Sequence, residues 1–287
     1  MFIVDNYIEQ NCEFVTIKND NATCWLSLCL TRGGMVTELG VNGEELLYLN
    51  KATLFDEQRP IRGGIPILFP VAGKTENETY IYNEKEYHMP IHGFARDYPW
   101  EIDATNLENK QASITLSLES TEEMLKIFPF HFKLLFTYTL SNEGLSIKQS
   151  YQNNTNESMP MYAGFHPYFL TKDEMIYIQT DSSTYLDLKD NQEKEFNGSI
   201  KKQDLEPSII FTNRKDGSLS IRTPGQQQLI MEYGPEFQYT VFWTEEGKNH
   251  VCMEPWMALP NALNDKKDLV WIESNSSLDT FTSFMLK

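Results

Sequence analysis

The chain has 287 residues, 41 acidic against 24 basic, for a formal net charge of −17. An acidic excess of that size excludes a phosphate-backbone binder, whose affinity rests on clustered Lys and Arg, so no nucleic-acid partner is expected. Hydrophobic residues make up 40%, with 17 Phe, 14 Tyr and 5 Trp, which suffices for a packed core and argues against disorder.

The start, MFIVDNYIEQ, lacks the basic residues and apolar run of a signal peptide, and no apolar stretch approaches the roughly 18 residues that span a membrane. NATCWLSLCL (21–30) reads as a strand. Its Cys24 and Cys29, with Cys12 and Cys252, form neither a CxxC nor a metal-ligand spacing. The expectation is a reduced, cytoplasmic protein with no membrane partner, as a monomer or homodimer.

RGGIPILFPVAGK (62–74) cannot be helical through Pro66 and Pro70, and prolines cannot donate to a central ladder. It reads as an ordered apolar loop or edge strand carrying Arg62, followed by MPIHGFARDYPW (89–100) with His92 and Arg96. In ASITLSLES (112–120) apolar and hydroxylated residues alternate. STEEMLKIFP predicts one short helix, with Ser120 and Glu123 as a capping box and Pro129 as the stop. HFKLLFTYTLSNEGLSIKQSYQN (131–153) is a hairpin: Phe132, Leu134, Phe136, Tyr138 and Leu140 share a face, SNEG turns, and Leu145, Ile147 and Gln149 resume the alternation. The Asn- and Lys-rich 190–203 reads as a surface loop, and 219–233, 239–244 and 280–286 as further strands. VNGEEL, YNEKEY, RKDGSL and TEEGKN mark turns between them. With no βαβ alternation and no repeat, the pattern predicts one all-β domain over 1–287, a large antiparallel β-sandwich with one or two short helices.

Five histidines can be weighed singly. His131 in a strand and His250 in a charged turn read as structural or exposed. His88 and His92 have the spacing of two helical metal ligands, but Pro90 between them defeats the helix, so no metal site is expected there. His92 stands out because HGFAR packs a histidine, a glycine, an aromatic and an arginine into one turn; Gly93 permits close backbone approach and Phe94 can offer an apolar surface. His166, in MYAGFHPYFL, is either a core histidine bonded to a carbonyl or a proton donor and acceptor in an aromatic setting. Glu254, in VCMEPWMALPNALN, is a carboxylate among apolar neighbours, either paired with an arginine or a general base beside Trp256. No GxSxG, Walker loop or GxGxxG is present, and Cys252 fits a buried strand position better than a nucleophile.

RGGIPILFP, HGFAR, STEEMLKIFPFHFKLLFTYTL, GFHPYF and MEPW, in that order over nearly the whole chain, resemble the aldose 1-epimerase (galactose mutarotase-like) family. The likeness is strongest to the branch of aldose epimerase-related proteins that includes the hexose-6-phosphate mutarotases. It implies a galactose mutarotase-like supersandwich whose concave face binds a pyranose, with no cofactor and no metal. It also implies that His166 acts as general acid on the ring oxygen and Glu254 takes the proton of the C1 hydroxyl. Arg62, His92 and Arg96 would bind the sugar or its phosphate. Lys74 is a further phosphate candidate, and Trp256 or Phe94 would pack on the apolar sugar face.

Hemiacetal opening needs an acid and a base working together at one pH, which an imidazolium and a carboxylate supply. GFHPYF departs from the Asn-His-x-Tyr-Phe of free-sugar mutarotases by interposing Pro167. Asp187 and Glu236 are candidates for a further hydroxyl-binding carboxylate. The implied activity is anomer interconversion of an aldohexose or hexose 6-phosphate. The alternatives are a carbohydrate-binding or metabolite-sensing module without turnover and, more weakly, a glycoside hydrolase, which would need a second carboxylate at about 5–10 Å.

Overall fold

Two large antiparallel sheets face each other in the computed structural model, which describes residues 1–212, 217–222 and 227–287. The nine-stranded sheet runs Ser199–Lys201, Met175–Gln179, Ser218–Arg222, Gln228–Tyr233, Ser277–Leu286, Gly144–Asn153, Phe132–Ser141, Gln111–Glu119 and Glu101–Leu107. The eight-stranded sheet runs Gln192–Glu195, Thr184–Asp187, Ile209–Phe211, Tyr239–Trp243, His250–Trp256, Gly164–Phe165 and Ile67–Leu68, with Tyr168–Leu170 also paired to His250–Trp256. A five-stranded sheet spans residues 2–45.

The alternation predicted for the central hairpin holds in register: Tyr138 lies opposite Ile147, Phe136 opposite Gln149 and Leu134 opposite Tyr151, all buried. Because side chains alternate along a strand, this register sends one row inward and the other out. The inner rows meet the second sheet where Phe136 packs on Phe165 (ring centroids 5.9 Å apart) and Phe284 on Phe169 (5.5 Å). Burying each such side chain contributes ~1.5–3 kcal/mol, so these rows hold the sheets together.

Some local expectations shift. The helix Glu122–Ile127 is capped by Thr121, whose hydroxyl accepts from the Met124 amide at 3.4 Å. Ser120 instead accepts from the Phe132 amide at 3.2 Å, so it closes the strand connection rather than the helix. Both residue types cap well, and the strand pairing decides between them. The 190–203 stretch is not loop alone: Gln192–Glu195 and Ser199–Lys201 are short edge strands, polar because an edge faces water. His250 is not in a turn; it opens the strand His250–Trp256 and is fully buried. Residues 214–216 of the RKDGSL turn and 223–226 of the 219–233 segment lie outside the described residues. Two further helical turns cover Lys51–Leu54 and Ala262–Asp265.

Candidate functional site

Neighbouring strands bring together motifs that lie far apart in the chain. Gly164 pairs with Leu68 on one side and Trp256 on the other, and Tyr168 lies opposite Cys252. Ile67–Leu68 is an edge strand of its sheet, as the prolines required. Those prolines still accept: the Pro66 carbonyl takes the His166 amide at 3.0 Å and the Pro70 carbonyl the Tyr162 amide at 2.9 Å. HGFAR joins through a bridge between Gly93 and Phe69. Two glycines make this approach feasible. Gly64 (φ +67°) and Gly93 (φ +69°) sit in the left-handed region, where a Cβ would stand 2.3 Å from the Val36 carbonyl oxygen and 2.1 Å from that of Phe69.

At the centre, His166 Nε2 lies 3.4 Å from Glu254 Oε1, with both side chains almost fully buried. The partner of Glu254 is therefore a histidine, not an arginine. Its other oxygen, Oε2, accepts from the Trp256 indole N–H at 3.1 Å. Burial pushes the Glu254 carboxyl well above its ordinary range, against the indole hydrogen bond that favours the carboxylate. Burial also holds the His166 imidazole well below its ordinary value, helped by the positive charges of Arg96 and Arg62. Each shift favours the neutral form of its group, whereas the chemistry expected from sequence uses an imidazolium and a carboxylate. Among the described residues His166 Nδ1 meets no protein partner, so the carbonyl-bonded core histidine is not what forms.

His92 stands edge-on to both His166 (centroids 5.4 Å apart) and Trp256 (6.0 Å). Its backbone is left-handed (φ +68°), an uncommon strain for a non-glycine residue, and its N–H donates a hydrogen bond to the Gly73 carbonyl at 2.9 Å. Its Nδ1 bonds the Ala72 carbonyl. A carbonyl only accepts, so Nδ1 carries the proton and Nε2 keeps a lone pair. Burial, with Arg96 nearby, lowers this histidine to about 4.

Arg62 lies over the Trp243 ring, 5.4 Å from its centroid. Arg96 is half-buried and donates to the Ile91 carbonyl at 2.9 Å. Lys74 is exposed at the rim, one residue beyond Gly73, where a Cβ on that glycine would reach Trp256 at 3.1 Å. Six of the seven residues singled out from sequence (Arg62, His92, Arg96, His166, Glu254 and Trp256) are thus linked by contacts or through shared charge.

Other expectations move. Phe94 is core, packed on Phe69 and Phe132 rather than lining a cleft. Asp187 is tied to Lys194 at 2.6 Å, and Glu236 accepts from Thr280 at 2.7 Å. His88 is exposed and pairs with Glu78 at 3.8 Å.

Two aromatic residues beside His166 escaped the sequence reading, and His250 was placed in a turn by it. Tyr168 stacks on His166 (4.7 Å, 11° between planes), Trp243 meets His166 edge-on at 5.8 Å, and buried His250 packs between Tyr48, Tyr168 and Trp243. Tyr168 carried a signal, being two residues from His166 on an extended segment and so on the same face. Trp243 and His250 come from neighbouring strand positions with no motif of their own.

The chain matches the family described as Aldose 1-epimerase over residues 13–279. A Cenchrus ciliaris protein bearing the name of a candidate glucose-6-phosphate 1-epimerase is 30% identical over 247 residues, 82% of this chain and 69% of its own. A crystal structure from Synechocystis sp. PCC 6803 superposes with a TM-score of 0.89 at 31% identity, covering 99% of this chain and 96% of that one. A galactose mutarotase-like protein from Clostridium acetobutylicum shares the fold, with a TM-score of 0.83 at 20% identity over 100% and 98% of the two chains. The family match takes in both His166 and Glu254, and the chain belongs to the aldose 1-epimerase family.

Proposed function

We propose that this protein interconverts the α and β anomers of an aldohexose 6-phosphate, with residues 1–287 acting as one domain around the cleft. The observation that carries the reading is the buried His166–Glu254 contact at 3.4 Å, beside two arginines. In that arrangement His166 and Glu254 are the catalytic pair, and Arg62, Arg96, His92 and the rim Lys74 hold the substrate. The name of the Cenchrus ciliaris relative supports the phosphorylated substrate.

A single proton serves both groups. With the proton on His166, the imidazolium donates to the ring oxygen while Glu254 takes the proton of the C1 hydroxyl, and the bond from C1 to the ring oxygen breaks. The sugar is then an aldehyde, His166 is neutral and Glu254 is protonated, the state that burial favours in the free protein. Rotation about C1–C2 presents the other carbonyl face. The reverse transfers close the ring with C1 inverted and return the proton to His166. Proton transfers of this kind typically contribute about 10²–10⁴-fold each.

The arginines give a phosphate a second task. Their positive charge is part of what keeps His166 neutral. A phosphate dianion bound to them, in the bidentate geometry arginine favours, offsets that charge and lets His166 take up the proton it must donate. The sugar without its phosphate leaves the charge in place.

Saturation-transfer NMR of α/β exchange tests the reading, with glucose, galactose and glucose 6-phosphate run in parallel. Acceleration of the phosphate ester above the free sugars is expected. Tight binding with no acceleration of any of the three would favour a sugar-sensing module instead.

A further inference from the structure

Cys252 lies two residues before Glu254 on the same strand, so both side chains share a face, and His166 approaches from the adjacent segment. The ligand-capable atoms of His166, Cys252 and Glu254 all lie within 4.8 Å of one another. All three side chains are buried, with Cys252 at 0% exposure. From this juxtaposition we infer a binding site for a thiophilic divalent cation, of which zinc is the type, using one nitrogen, one sulfur and one oxygen ligand.

Three properties of the cluster suit such an ion. The first is donor chemistry: zinc is held by imidazole at about 2.0–2.1 Å, thiolate at about 2.3 Å and carboxylate at about 2.0–2.2 Å. The second is spacing. Bonds of those lengths set two ligand atoms of a tetrahedral ion roughly 3.3–3.7 Å apart. His166 Nε2 and Glu254 Oε1, at 3.4 Å, already stand so, and the thiol, within 4.8 Å of its partners, reaches that spacing by a side-chain movement. The third is charge. Arg62 and Arg96 oppose a bare dication, but Cys252 as thiolate and Glu254 as carboxylate bring two negative charges that balance it. Three protein ligands leave a fourth position for water or a sugar hydroxyl, as in open zinc sites.

The ion is an inhibitor here. It binds the lone pairs through which His166 and Glu254 would exchange protons with substrate. That consequence rests on the proposed activity; the binding itself does not.

The test uses the full chain, stripped with EDTA and titrated with Co²⁺ as a spectroscopic stand-in for zinc. A thiolate-to-cobalt charge-transfer band in the near ultraviolet, saturating at a single equivalent and erased by Zn²⁺, is expected. The band should vanish in Cys252→Ser, and in His166→Asn, which keeps the thiol and guards against a folding defect in the first variant. In parallel, Zn²⁺ should slow anomerisation by the parent and EDTA restore it. Cys252→Ser should turn over like the parent with zinc inhibition weakened by at least about tenfold, as for loss of a metal-site partner. No band in the parent, or a band that survives in Cys252→Ser, overturns the site. Equal zinc inhibition of the parent and Cys252→Ser overturns the inhibitory role. A cobalt band in a protein that accelerates no sugar upholds this site and removes the proposed activity instead.

Discussion

The two oxygens of the Glu254 carboxyl have different neighbours. Oε2 accepts the Trp256 indole N–H at 3.1 Å, while Oε1 faces His166 Nε2 at 3.4 Å. Trp256, expected from its sequence context to pack on a sugar, is only 7% exposed and fixes the orientation of the Glu254 carboxyl. One oxygen is pinned, so the other is aimed.

That asymmetry predicts the effect of Trp256→Phe. An aromatic ring stays, smaller than the indole, but the donor goes, and a hydrogen bond to a charged group contributes about 1.5–3 kcal/mol. The indole favours the carboxylate, so its loss raises the Glu254 carboxyl further. The alkaline limb of kcat/KM, along which the shared proton leaves Glu254, should move to higher pH by about one to two units. A pH–rate profile identical to the parent's would show that Trp256 only fills space.

Removing either member of the pair should cost the chemistry and spare the fold. Glu254→Gln and His166→Asn are each expected to lower anomerisation by about 10²–10⁴-fold. Thermal melts should stay close to the parent's, because neither replacement leaves a new charge buried. Exchange NMR and circular dichroism on the same samples check both halves. Full activity in either variant would refute the assigned roles.

Arg62→Met separates phosphate binding from packing. The methionine still covers Trp243, but the charge is lost. KM for glucose 6-phosphate should rise by at least about tenfold, the size of effect reported for losing a charged hydrogen bond. Any residual turnover of free glucose should change far less. Equal losses on both sugars would place Arg62 on hydroxyls instead.

Acid should destabilise the protein through its buried histidines. His92 and His250 are held at about 4, chiefly by burial, against an ordinary 6.5. Between those values the unfolded chain binds protons that the folded one refuses. Stability is therefore complete above pH 6.5 and declines as the pH falls toward 4. Urea midpoints measured down this range should fall less steeply in His250→Phe than in the parent. His250 is suited to the test because both its ring nitrogens are buried without a protein partner among the described residues. Parallel slopes would locate the acid sensitivity elsewhere.

Much of this molecule was legible in its sequence. Period-two alternation marked the hairpin Phe132–Asn153, because a strand with one buried face must alternate. Pro66 and Pro70 marked an edge, because they cannot donate to a central ladder. Arg62, His92, Arg96, His166 and Glu254 stood out as polar groups in apolar or glycine-rich company, where such residues are seldom idle.

Only the tertiary structure decided the rest. Which of Ser120 and Thr121 caps the helix depends on an amide from the strand that follows it. That Phe94 is core and Trp243 lies under Arg62 depends on sheets folded over each other. His250, read as part of a charged turn, is buried because the strands around it close over it. Above all, the sequence could supply an imidazole and a carboxyl, but not the charge they carry. That charge is set by the water removed around them and by the arginines brought near, and both depend on residues distant in the chain.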